Sequence, residues 1–334
     1  MSCVYITEQG AKVSVGEGKL IIECKNNQTR YIPIETIESL VVFGNIYISL
    51  GAQKALLERG ISTSILSTRG RYFGRLINTA STNAERFKRQ VYLSDNEEQC
   101  LLFAKNTLAA KVHNQLVVAR RYIKQTTPEI DEKIKQIQLA RRKIYDAGSI
   151  EEVLGFEGTA AKNYFGILAS VIDEEFAFQG RNRRPPKDPL NAMISLGYTI
   201  IFYEIYAELE NQSINPYIGF THVSQPNHPS LVSDLIEEWR AVLVDATVMS
   251  LIQGHEIDIS EFTRDEESGG VVLSSNGVRK LVQKLEKKMS TSMNYLSYLD
   301  SAVSFRRGIW WQAKTLARCI DHVQLKDYSP LYIR

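Results

Sequence analysis

Pro216 to Arg240 reads PYIGFTHVSQPNHPSLVSDLIEEWR. It opens as a loop broken by proline and glycine that carries His222. After Pro229 it becomes an amphipathic helix. At about 100° per residue, Asp234, Glu237 and Glu238 fall on one side of that helix, and Leu231, Leu235, Trp239 and Val242 on another. An imidazole in a loop is thus followed at once by an acidic face whose back has the character of a core. Oxygen-rich donor sets of this kind suit Mg²⁺ or Mn²⁺, and a single imidazole favours Mn²⁺. Taken alone, the pattern reads more readily as a solvated acidic face beside a surface histidine. The rest of the chain has to decide.

The chain before this stretch changes period once. Up to residue 76, short runs rich in β-branched and aromatic residues (Val4–Thr7, Lys19–Cys24, Tyr31–Ile34, Ser39–Val42, Ile46–Ser49, Ser62–Leu66, Tyr72–Leu76) alternate with turn formers such as Gly16-Glu17-Gly18. One helix, Gly51–Glu58, interrupts them. This predicts a small antiparallel β-rich domain over residues 1–76, suited to a scaffold or dimer surface. Residues 77–83 (INTASTN) are polar and aperiodic, a linker. From residue 84 to 334 the apolar period is close to 3.6, with Leu101, Ala104, Leu108, Val112 and Leu116 on one predicted helix. Further helices are predicted over 129–147, from Ser149, over 191–209, 275–300 and 305–322. The expected fold is α+β: the β-rich domain followed by a large all-α domain that carries the chemistry.

Composition sets bounds. The 334 residues are 44% hydrophobic and 23% charged, with 40 basic and 38 acidic side chains and a formal charge of +2, as in an ordinary soluble globular protein. Cys3, Cys24, Cys100 and Cys319 are scattered, which suits reduced thiols in a cytoplasm. The N-terminus lacks the pattern of a signal peptide, and no apolar run is long enough to span a bilayer. A soluble cytoplasmic protein is expected, without a membrane partner.

Two other features bear on function. Glu157 lies between Gly155 and Gly158 in LGFEGTAAKNYF; glycines beside an acid let a backbone come close to something. A first-turn carboxylate on a helix dipole would read the same. Basic residues cluster at Arg120-Arg121, Arg141-Arg142-Lys143, Arg181 to Lys187, Lys287-Lys288 and Arg306-Arg307. Most are interleaved with Tyr or Phe, which suits a phosphate backbone. The glycine-rich nucleotide signatures and the G-x-S-x-G nucleophile elbow are absent from the sequence.

Three ordered segments, G-F-E-G-x-A-A-K at 155–162, P-Y-I-G-F-x-H at 216–222 and P-S-L-x-x-D-L-I-E-E-x-R at 229–240, together with D-P-L-N-A-x-x-S-x-G-Y at 188–198, resemble the CRISPR adaptation endonuclease/integrase family, the metal-dependent nuclease of the spacer-acquisition pair. The resemblance covers essentially the whole chain. It implies that Glu157, His222 and Glu237 hold one Mg²⁺ or Mn²⁺, with Asp234 as a further acidic residue of the catalytic site. It implies insertion of DNA fragments as new spacers, by attack of a 3′-hydroxyl on the repeat. It also implies a homodimer formed through the β domain, and two such dimers around one dimer of the small second adaptation protein. Arg181, Arg183, Arg184, Lys187 and Arg240 would then face double-stranded DNA. Asn227-His228 replaces the family's usual Gly-Arg and Ala241 its usual Pro, so His228 is a rival ligand. A repair nuclease without integrase activity, and a non-catalytic DNA-binding scaffold, remain the alternatives.

Overall fold

The computed structural model describes residues 2–25, 28–68, 70–78, 83–182, 185–222 and 225–334. Strands β1 (Ser2–Ile6), β2 (Lys12–Gly16), β3 (Lys19–Glu23), β4 (Thr29–Pro33), β5 (Ile37–Phe43) and β6 (Tyr47–Ile48) come first. Helix α1 (Leu50–Glu58) follows, then β7 (Ser62–Leu66) and β8 (Tyr72–Leu76). They form two four-stranded sheets, ordered β4-β3-β2-β6 and β1-β5-β7-β8. The α+β division expected from the sequence holds, but the pairing is mixed rather than antiparallel. Strand β5 runs parallel to both β1 and β7, and β2 is parallel to β6.

The cause lies in β5 itself. Leu40 and Val42 join the core within the β domain, while Val41 and Phe43 join the core shared with the helices. A strand covered on both faces is continuously apolar, as parallel strands usually are. The helix α1 is the crossover that parallel neighbours need between β5 and β7.

The helical part contains α2 (Ala84–Ser94), α3 (Glu97–Tyr122), α4 (Pro128–Asp146), α5 (Ile150–Val171), α6 (Pro189–Asn211), α7 (Ser230–Trp239), α8 (Ala246–Gln253), α9 (Ser275–Ser290) and α10 (Phe305–Asp321). Their starts follow local chemistry. The Asn83, Asn96, Thr127, Ser149 and Ser304 side chains each accept a first-turn N–H, and Pro128 stands at the start of α4. In α5 the Glu152 carboxylate in turn accepts from the Gly148 N–H at 2.8 Å, a variant of the capping box.

This part is not purely helical. The short ribbons β9 (Phe262–Arg264) with β10 (Val271–Leu273), and β11 (Ser292–Met293) with β12 (Val303–Ser304), interrupt it. The second ribbon ends α9 at Ser290, ten residues before the sequence-based end at 300. Of the expected linker 77–83, residues 79–82 lie outside the described residues. Asn83 already belongs to α2 as its cap.

Candidate active site

Helix α7 is the centre of the site, and its environment differs from the expected solvated face. All ten of its residues are buried. Its three carboxylates therefore need partners, since an unpaired buried charge is costly. Each has found a different one.

Asp234 closes the preceding loop. Its Oδ2 accepts the N–H groups of Phe220 at 2.7 Å and Thr221 at 3.0 Å. Its Oδ1 accepts the His222 N–H at 3.0 Å and the His222 ring Nδ1 at 2.6 Å. Gly219 makes this fold possible, because a Cβ there would lie 2.9 Å from Ser230 Cβ and 3.0 Å from Asp234 Oδ2. The Asp234 bond raises the His222 pKa against the opposing effect of burial. With Nδ1 bound to the carboxylate, Nε2 is the ring nitrogen left for the cavity. That is the usual arrangement behind a ligating or proton-handling imidazole.

Glu238 turns the other way. It accepts from Tyr328 Oη at 2.5 Å, Gln312 Nε2 at 2.6 Å and the Leu331 N–H, and so fastens the C-terminal segment to the core. Burial raises its pKa to about 7. It belongs to the scaffold.

Glu237 meets Glu157. The Lys111 ammonium of α3 lies 2.5 Å from Glu157 Oε1 and is also ion-paired with Glu237 Oε2. Arg240 Nε stands 3.1 Å from Glu237 Oε1. Burial alone would raise the Glu237 carboxyl; Arg240 and Lys111 outweigh it and hold its pKa down at about 2. Glu157 is the eighth residue of α5, which removes the first-turn explanation for it. Gly155 and Gly158 beside it are exposed, and a Cβ on either would meet nothing within 4 Å. Among the described residues no close packing requires these glycines.

Lys111, Glu157, His222, Glu237, Arg240 and Tyr198 line one cavity of about 490 Å³. Behind Tyr198 the buried Asp245 accepts both the Tyr198 hydroxyl at 2.7 Å and the Tyr164 hydroxyl at 2.9 Å. A π-helical turn, Arg240–Asp245, sets Arg240 and Asp245 in these directions. Gly197 lets α6 approach that turn: a Cβ would lie 2.5 Å from Val244 Cγ1. Larger cavities exist, such as one of about 690 Å³ beside Arg75 and Glu210, but they do not carry this acid–imidazole set.

Glu157, His222 and Glu237 are thus brought to one cavity. Among the described residues, however, no three His, Cys, Asp or Glu side chains are arranged to hold a metal ion as they stand. The ammonium of Lys111 sits between the two glutamates. His228, the rival ligand, lines the same cavity and is 3.0 Å from Ser233 Oγ through Nε2. Of the residues expected to face DNA, Arg183 and Arg184 lie outside the described residues. Lys187 is exposed. Arg181 is tied to Asn191 Oδ1 at 2.6 Å and lies over the Tyr198 ring, as does Arg240. These two arginines build the cavity wall.

Sequence reasoning missed Lys111, Gln115 and the Tyr198–Asp245 pair. A signal for the first was present: Lys111 sits three residues after Leu108 and seven after Ala104, so a charge interrupts the apolar stripe of α3.

A mixed-sheet domain followed by a helical body, with acids, an imidazole and cations around one cavity, defines an α+β protein whose polar site lies in the helical part. A family model described as CRISPR associated protein Cas1 matches residues 4–287, and the chain belongs to that family. It is 30% identical over 318 residues to the CRISPR-associated endonuclease Cas1 of Mycobacterium tuberculosis, covering 95% of this chain and 94% of that one. It is 30% identical over 344 residues to CRISPR-associated endonuclease Cas1 2 of Rhodospirillum rubrum, covering 99% and 98%. Among solved structures it resembles a CAS1 protein from Thermotoga maritima, with TM-score 0.81, 21% identity and coverage of 96% and 97%. It also resembles a casposase bound to integration product, with TM-score 0.85, 24% identity and coverage of 100% and 95%. At these identities the solved structures speak for the fold alone.

Proposed function

We propose that this chain is a divalent-metal-dependent DNA endonuclease and integrase of CRISPR adaptation, acting in the cytoplasm. It joins the 3′-hydroxyl ends of a captured duplex to the repeat, one phosphodiester exchanged for another without ATP. The observation that carries this reading is the convergence of Glu157 from α5 and Glu237 from α7 on one cationic nitrogen, in a cavity that His222 also lines.

The donor set fits Mg²⁺ or Mn²⁺ in kind: two carboxylates already within reach of a single positive centre, and one imidazole whose Nδ1 is held by Asp234. Glu157, His222 and Glu237 would hold the ion. When bound, it supplies charge stabilisation at a phosphate oxygen. The chain's own residues do the rest. Asp234 fixes the ring of His222 and stays with the loop rather than with the ion. Arg240 neutralises the second side of Glu237. Arg181 and Lys187 offer positive charge to the DNA backbone, and Arg183 and Arg184, next to them in the sequence, are proposed to share that role. Residues 84–334 form the catalytic unit. Residues 1–76 form the dimerisation unit, which presents Tyr31, Tyr47 and Phe73 to solvent. Two such dimers would flank one dimer of the small second adaptation protein.

A strand-transfer assay tests this, with a labelled duplex bearing 3′-hydroxyl ends, a repeat-containing target, Mn²⁺ and the small partner. Wild type and Glu157→Ala run side by side. A joined product that disappears with EDTA and with the variant is the expected result. Cleavage without joining would transfer the site to a repair nuclease. Intact DNA binding with neither product would leave a scaffold.

A further inference from the structure

Lys111 has no task in the chemistry just proposed, yet it is placed at its centre. It is a buried cation on α3, 8% exposed, and its ammonium contacts the carboxylates of both Glu157 and Glu237. A divalent ion held by the same oxygens would need direct coordination by them, in the space the ammonium fills. Two positive centres in that space repel strongly at low dielectric, so ammonium and divalent ion exclude each other there.

A second observation lies one turn along the same helix. Gln115 is 3% exposed and lines the same cavity, and its Oε1 is buried with no hydrogen-bond partner among the described residues. A buried amide oxygen left without a donor is uncommon and calls for a reason. Side chains four apart on a helix are neighbours, so this acceptor is within the sweep of the Lys111 side chain.

We propose that Lys111 is the resident cation of the site: it holds the Glu157 and Glu237 carboxylates together, competes with the divalent ion for them, and passes to the Gln115 Oε1 acceptor when that ion enters. The inference rests on the reading of Glu157 and Glu237 as ligands. Its consequence is a site that is ordered beforehand but binds its ion less tightly than a bare carboxylate pair would. Removal of the ammonium leaves two like charges side by side, which favours a divalent ion and weakens the ion-free fold.

The test is Mn²⁺ binding to the full-length protein without DNA, followed by the electron paramagnetic resonance signal of free Mn²⁺, with melting in EDTA measured in parallel. Lys111→Met should bind Mn²⁺ on the order of tenfold more tightly, the scale on which a neighbouring unit charge shifts an ionic equilibrium. It should also melt lower in EDTA and recover with Mn²⁺. Lys111→Arg keeps the charge and grips carboxylates with a fork, so it should bind Mn²⁺ more weakly than wild type; this variant decides the matter if Lys111→Met does not fold. Gln115→Leu should weaken Mn²⁺ binding without lowering the melting point in EDTA. If wild type binds Mn²⁺ and the Lys111 variants bind it equally well, the inference is overturned and the ligand assignment stands. If neither wild type nor any variant binds Mn²⁺, the ligand assignment falls and takes the inference with it.

Discussion

Asp234 makes a local argument of unusual completeness. Four donors, three of them backbone N–H groups, converge on its two oxygens, which leaves the carboxylate committed to the loop. In the proposed reaction its influence would therefore run through His222. An Asp234→Asn variant must turn an amide NH₂ toward one of the two donor pairs, since an amide has a single acceptor oxygen. The expected cost is about 2–3 kcal/mol of stability, because bonds to a charged acceptor are lost and buried donors are left unmade. Strand transfer should fall with it, while DNA binding at low salt persists. Urea denaturation and a strand-transfer assay on the same preparation check this. A variant as stable and as active as wild type would remove Asp234 from the site. The sequence made the order and spacing of Glu157, His222 and Glu237 legible. The helical wheel set Glu237 and Glu238, adjacent in the chain and about 100° apart around the helix, on one side; the resemblance singled out Glu237, but nothing in the sequence placed Glu238 in the scaffold. Which side of α7 is buried against which partner depends on α3, α5 and the C-terminal segment, all distant in sequence.

At the level of elements, the start of α6 organises the loop that leads away from the cavity. Asp188 caps α6 by accepting from the Asn191 N–H at 2.8 Å. The buried Asn191 side chain then reaches back to the loop: its Oδ1 accepts from Arg181 and from the Asn182 N–H, and its Nδ2 donates to the Gly180 carbonyl at 3.0 Å. Ribbon strand β10 braces the same loop, with the Val271 N–H donating to the Pro186 carbonyl at 2.8 Å. An Asn191→Ala variant should therefore release the loop without disturbing Glu157, His222 or Glu237. Affinity for duplex DNA should drop several-fold, with a shallower salt dependence, while Mn²⁺ binding holds. A filter-binding series over salt concentration checks it; unchanged DNA affinity would mean that this loop carries no DNA. The elements themselves were read unevenly from the sequence. Long helices with a clear apolar period and a hydroxyl or amide cap fell within a few residues of their observed ends, except α9, whose expected end overran the β11–β12 ribbon by ten residues. The π-turn at Arg240–Asp245 had no local signature, and the parallel pairing of β5 was hidden because a short apolar run does not state its neighbours.

On the scale of the whole molecule, the β domain and the helical body are held together by buried polar contacts as well as by apolar ones. Arg75 of β8 reaches Glu210 of α6 at 3.1 Å, Arg306 of α10 donates to the Tyr5 hydroxyl of β1 at 3.4 Å, and the Tyr72 ring of β8 stacks on Tyr203 of α6 at 3.5 Å. Asp245 plays the same part among helices, taking hydroxyl hydrogens from Tyr164 of α5 and Tyr198 of α6. This carboxyl gives the fold a pH dependence. Burial raises its pKa from 3.8 to about 6, against the opposing effects of the two tyrosine hydroxyls, Arg181 and Arg240. Because the folded value is the higher one, the native state binds the proton more tightly than the unfolded chain does. That contribution is fully present below the unfolded value near 3.8 and is lost as pH rises through about 6. An Asp245→Asn variant cannot titrate there. Whatever its absolute stability, the difference between wild type and variant isolates the carboxyl. That difference should move against wild type by up to about 3 kcal/mol between roughly pH 4 and pH 7. Paired urea denaturation curves at several pH values measure it directly. A flat difference across that range would mean that Asp245 titrates normally, and that the hydroxyls of Tyr164 and Tyr198, rather than a proton of its own, keep the charged carboxylate tolerable in the core.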